Sequence, residues 1–107
     1  MMGWMIASAI LAAAWQNAAA NGARQQLRTC IKEATENAKK QKLAAAGFAT
    51  FARQHCAAQE ASFKSAVWAF DSKNKVSRKQ SEADAKLQIE DFVSMASERY
   101  QMETAPR

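Results

Sequence analysis

Three residues in this chain have side chains suited to nucleophilic, redox or metal chemistry: Cys30, Cys56 and the only histidine, His55. A thiol beside an imidazole suggests an activated nucleophile. Activation needs the ring nitrogen within hydrogen-bond reach of the sulfur, and a third group to orient the ring. Adjacent residues on a helix point about 100° apart, which separates the two side chains. No second histidine exists to complete a relay. A metal site built from Cys30, His55 and Cys56 lacks a fourth ligand and a shared face. Redox exchange through a C-x-x-C motif is excluded, since the cysteines stand 26 residues apart. The carboxylate neighbours Glu90 and Asp91, and Glu82 with Asp84, splay around a helix and make no acid/base pair. Phosphate loops, nucleophile elbows, zinc motifs and calcium loops are absent from the sequence. No catalytic residue, metal ligand or cofactor site is therefore assigned. The sequence points to a chain that is not an enzyme.

What remains for the cysteines is to bond each other. That depends on compartment, and the first twenty residues speak to compartment. MMGWMIASAILAAAWQNAAA carries no charged side chain. From Trp4 to Trp15 it is apolar apart from Ser8, then Gln16 and Asn17 precede three alanines. A short apolar core followed by small residues is the layout of a secretory signal peptide, with the cut expected between Ala20 and Asn21. Residues 1–20 are thus read as a signal peptide and residues 21–107 as a single helical domain. The leader lacks lysine and arginine, the first charge being Arg24. A retained membrane anchor is the competing reading, although a span needs about 20 apolar residues. Export to the periplasm or the extracellular space exposes both thiols to oxidising conditions, where a pair becomes a disulfide.

The elements that must position this pair are helices. Three glycines and one proline in 107 residues, with much alanine, glutamine, lysine and glutamate, argue against a sandwich or a loop-rich fold. Three amphipathic segments are legible. The first, about residues 24–42, carries Ala23, Leu27, Cys30, Ile31, Ala34 and Ala38 at three- and four-residue steps. The second, about residues 45–70, aligns Phe48, Ala52, Cys56, Phe63, Val67 and Phe70. The polar run DSKNKVS follows. The third, about residues 77–102, opens at Ser77 with Gln80 three residues on, a capping box. It continues through Ala85, Ile89, Phe92, Val93, Ala96 and Tyr100. Leu87 and Met95 fall off its stripe, which suggests contacts on two sides.

The cysteines then act as a ruler. Residues equidistant from the turn of an antiparallel hairpin lie at one height. Cys30 and Cys56 are equidistant from Leu43, each about 20 Å away along its helix. A turn at Gly47 would offset them by about 12 Å, more than a disulfide tolerates. The expected fold is all-α: an antiparallel hairpin stapled by Cys30–Cys56, with a third helix packed on it as a small three-helix bundle, preceded by a signal peptide.

On the surface, the net charge of +5 gathers at the two connections. Lys39, Lys40 and Lys42 crowd the first; Lys73, Lys75, Arg78 and Lys79 crowd the second. An up-down-up layout puts them at opposite ends, so they form no continuous basic patch, and the sequence argues against nucleic acid as partner. Trp68 lies off its apolar stripe, where it either anchors a partner or packs under the third helix. Trp68, Lys73, Lys75, Arg78 and Lys79 are the candidate partner-binding residues. The functional expectation is a small exported binding protein, holdase-like in character, holding a protein or peptide partner in the cell envelope. The alternative is a structural or membrane-associated envelope component kept in place by an uncleaved N-terminal segment.

Overall fold

A computed structural model describes the backbone of residues 2–106 and the side chains of residues 18–106. Among the described residues there are four α-helices and no strand. Helix α1 spans Met2–Gln41, α2 Phe48–His55, α3 Ala57–Lys73 and α4 Arg78–Thr104, and a 3₁₀ turn, Ala45–Gly47, precedes α2. Helices α1 and α4 run the same way, and α2 with α3 returns antiparallel between them.

The expected hairpin turn near Leu43 is where the chain reverses. Lys42 takes a left-handed conformation, φ 54°. The Leu43 amide then donates to the Ala38 carbonyl at 3.0 Å and the Lys42 amide to the Lys39 carbonyl at 3.1 Å. These two bonds form a Schellman motif, which satisfies carbonyls that a helix end leaves open. Glycine usually holds this position, because a Cβ at positive φ is strained. Lys75, φ 61°, repeats the device after α3, with the Val76 amide donating to the Asp71 carbonyl at 3.0 Å. Lys42→Gly and Lys75→Gly are each expected to raise stability by about 0.5–1 kcal/mol, measured as a shift in the urea midpoint at unchanged slope. A loss of stability in either variant would mean that the lysine stem contributes packing that outweighs the strain.

The second segment differs from expectation. Instead of one helix over residues 45–70, the backbone breaks at Cys56, φ −109° and ψ 20°, into α2 and α3. The break is cheap in hydrogen bonds, because the Cys56 amide still reaches the Ala52 carbonyl at 3.0 Å and the Glu60 amide the Cys56 carbonyl at 2.9 Å. An ion pair from Arg53 to Glu60, 3.1 Å, spans the bend. Gly47 ends the 3₁₀ turn ahead of α2 and is not inside its first turn. The polar connection is also shorter than DSKNKVS, since α3 continues to Lys73.

Ser77 caps α4 as expected, its hydroxyl accepting from the Gln80 amide at 3.1 Å. The Gln80 side chain does not complete a capping box. It turns along the helix to donate to Asp84 at 2.8 Å. At the other end of α4, the Tyr100 hydroxyl donates to the carbonyls of Leu43 and, at 3.3 Å, Ala38, and its ring stacks on Phe48 with centroids 4.7 Å apart. One side chain thus joins α4 to the hairpin turn and to α2.

The core follows the sequence stripes. Leu27, Ile31, Ala34 and Ala38 of α1 meet Phe48 and Ala52 of α2, Phe63 and Val67 of α3, and Ala85, Ile89 and Val93 of α4. The small residues of α1 allow close approach, which is the packing this alanine-rich stripe favours. The expected cut between Ala20 and Asn21 falls within α1, and Ala20 itself is only 5% exposed. The side chains of the apolar segment Trp4–Trp15 lie outside the described residues. Among the described residues no helix is long and apolar enough to cross a membrane.

Candidate functional site

Helix α1 places Cys30 on its buried face, and the bend between α2 and α3 places Cys56 opposite it. Their Cα atoms are 5.8 Å apart and their sulfurs lie at disulfide distance. The close pair and the reversal near Leu43 occur together, as the equal spacing of the two cysteines from Leu43 anticipates. His55 points elsewhere: its ring is exposed and stacks on Phe51, with centroids 6.0 Å apart. Its backbone carbonyl, not its imidazole, faces Cys30, with 3.7 Å between Cys30 Sγ and the oxygen. With its ring on Phe51, His55 is not placed to act as a base on Cys30. Among the described residues no three His, Cys, Asp or Glu side chains converge.

The candidate partner-binding residues do gather at the second connection, but Trp68 is not free. It is half-buried, and the Arg78 guanidinium lies 5.2 Å above its ring. Arg78 also reaches Glu82 at 3.1 Å, so this cation is engaged on both faces. Lys73, Lys75 and Lys79 are exposed around it. Leu87 and Met95, expected to touch neighbours on two sides, are instead 59% and 68% exposed.

Met95 leads to a second surface, which the spacing of the sequence did not single out. Two contacts fix the register of the parallel helices: Arg24 with Gln88, and Lys39 with Glu103, each pair 64 residues apart. Between α1 and α4 along this register lies an open groove of about 560 Å³. Ile31, Phe92, Met95 and Ala96 form its floor. Arg28, Lys32 and Lys39 line one rim, and Arg99 and Glu103 the other. The Arg28 guanidinium lies 4.7 Å above the Phe92 ring, so part of the rim folds over the floor. Such cation–π contacts are worth about 0.5–1 kcal/mol at exposed sites. The signal for this groove was present in the sequence as Met95, set beside the Phe92 and Ala96 stripe.

At one end of the groove Lys39 binds both Glu103 and, at 3.8 Å, Glu36. The hydrogen bond to Glu103 holds the Lys39 ammonium above its ordinary range, against a smaller opposing effect of desolvation. The same bond holds the Glu103 carboxyl below the ordinary carboxylate range. The signs follow from linkage. The depressed acid contributes stability at neutral pH and loses it as pH falls through the folded-state titration of Glu103. The raised base loses its share only as pH climbs past the lysine range. Glu103→Gln is therefore expected to differ from the parent chain at pH 7 and to converge with it in acid, read as urea midpoints across pH. Both partners are solvated, so the gap is small.

Arg28, Lys32 and Arg99 form no ion pair among the described residues. The groove is thus an apolar floor whose rim carries the cations Arg28, Lys32, Lys39 and Arg99 against the carboxylates Glu36 and Glu103. Nothing answers to this chain among protein-family models, curated proteins or solved structures.

Proposed function

We propose that the protein is a small exported, non-catalytic binding protein that holds a protein or peptide partner in the groove between α1 and α4. One observation carries this reading: an exposed methionine, a half-buried phenylalanine and a rim with more cations than carboxylates share one concave surface. Methionine adapts its shape to different apolar partners, and apolar floors with polar rims mark binding surfaces. The cysteine pair at disulfide distance fits an oxidising compartment outside the cytoplasm. Holdase-like behaviour is a natural form of this activity, since the groove is open and has no enclosed, shape-selective end.

The test is photo-cross-linking in intact cells, with the reactive side chain at position 95 and, as control, at position 87. Leu87 is similarly exposed but lies about 140° around α4 from Phe92. Partner adducts from position 95 and few from position 87 support the reading. Equal yields from both positions, or none from position 95, refute it.

A second reading has its own observation. The shared register of α1 and α4 places Asp84 level with Ala20. The cations Lys73, Lys75, Arg78 and Lys79 therefore surround the end of the bundle toward which the N-terminal part of α1 leads. If that segment is retained, these cations would meet anionic headgroups, each worth about 1 kcal/mol near such a surface. The protein would then be a membrane-associated envelope component. Full-length protein in alkali-washed membranes supports this alternative; protein released with the soluble fraction excludes it.

A further inference from the structure

We infer that the natural occupant of the α1–α4 groove is an acidic amphipathic helix of a partner protein, which completes a four-helix arrangement. The inference rests on the binding reading above and names the partner's chemistry. From Arg28 to Lys39 the α1 wall is about 16 Å long, or three helical turns. Two parallel helices with an apolar floor between them offer a seat for a third, read by anchors at i, i+3, i+4 and i+7. Ile31, Phe92, Met95 and Ala96 supply that floor.

Charge decides the kind of helix. Glu36 and Glu103 are already held by Lys39, whereas Arg28, Lys32 and Arg99 form no close ion pair among the described residues, Arg99 acting on Glu103 only at longer range. Arg28 and Lys32 stand on the α1 rim, and Arg99 stands on the α4 rim one to two turns further along. Cations spread over successive turns and on both walls match carboxylates repeated along a helix that flank its apolar seam. A single-chain amphiphile carries its charge at one end and would leave part of this rim unanswered. The floor also stays open to solvent, with Met95 68% exposed, and does not enclose an acyl chain. A second copy of the chain, with net charge +5, is disfavoured by its own sign.

The probe is a capped synthetic peptide of about 14 residues, long enough at about 20 Å to cover the groove. It carries leucine along one seam and glutamate on both flanks, and a second peptide has glutamine in place of every glutamate. Binding to the full chain is followed by the Met95 methyl resonance and by titration. The glutamate peptide is expected to shift Met95 and to bind at least ~10-fold more tightly than the glutamine peptide, a preference that fades with salt. Arg99→Glu and Arg28→Glu should each cost a comparable factor. Arg99 stacks on no ring among the described residues, and circular dichroism confirms the helices in both variants. Equal affinity for the two peptides, binding that leaves Met95 unmoved, or dodecyl phosphate shifting Met95 where neither peptide does would each overturn the inference. If no peptide binds yet position 95 still cross-links a protein in cells, the binding reading stands and only the acidic-helix assignment falls.

Discussion

Replacing Tyr100 by alanine is expected to cost about 3–5 kcal/mol, the range for removing a fully buried aromatic side chain. In a domain whose total stability is about 5–15 kcal/mol, that approaches global unfolding. Two contributions combine in this side chain, and they separate by substitution. The ring stacks on Phe48, both residues being fully buried. The hydroxyl serves the Leu43 carbonyl at the reversal of the hairpin and lies 3.3 Å from that of Ala38. The Ala38 carbonyl already accepts from the Leu43 amide, so loss of the hydroxyl falls mainly on Leu43. Tyr100→Phe keeps the stack and should cost only about 1–2 kcal/mol, the penalty for an unsatisfied buried acceptor. Urea unfolding followed by circular dichroism measures both. A phenylalanine variant as unstable as the alanine variant would show that the hydroxyl, not the ring, dominates; a neutral one would remove the hydrogen bond from the account.

Breaking the Cys30–Cys56 link should cost nearly as much. In the chain-entropy model, closing a loop across 26 residues is worth about 3 kcal/mol. For a domain of this size, that lowers the melting midpoint by roughly 12–24 °C. The double variant Cys30→Ala/Cys56→Ala should show this drop, and a reducing agent should produce most of it in the parent chain. The same agent should leave the double variant unchanged. A parent chain insensitive to reduction would mean that the bundle is held by packing alone, and that the two sulfurs are neighbours without being a staple.

Which parts of this architecture were legible in the sequence follows from what periodicity can encode. The buried stripes of α1 and α4 were readable because each apolar side chain recurs at helical spacing. The reversal near Leu43 was readable because a disulfide restricts two heights to be equal. The break at Cys56 was not. No glycine or proline marks it, the apolar spacing from Ala52 through Cys56 to Phe63 continues across it, and two hydrogen bonds bridge it. Only the demand that Cys56 face Cys30 across three dimensions reveals the bend. The groove escaped for a related reason. Arg28, Lys32 and Arg99 read singly as solvated helix faces, and only the register of α1 against α4 brings them together over Phe92 and Met95. Trp68, expected either as an exposed anchor or as packing under the third helix, is half-buried beneath Arg78.

Small bundles with an alanine-rich stripe bury little area per residue, so a staple and a buried tyrosine carry a large share of the stability. Both lie at positions that also orient the groove. The cysteine pair lies where the bent α2–α3 arm meets α1, and Tyr100 joins the far end of α4 to the hairpin turn.

We propose that the chain is exported, trimmed and stapled before it binds. Intact-mass spectrometry of the protein taken from its native cells, quenched with a thiol-alkylating reagent, tests this most directly. The expected product is a chain beginning at Asn21, two hydrogens lighter than its reduced form and carrying no alkyl group. A full-length chain with alkyl groups on both Cys30 and Cys56 would contradict it.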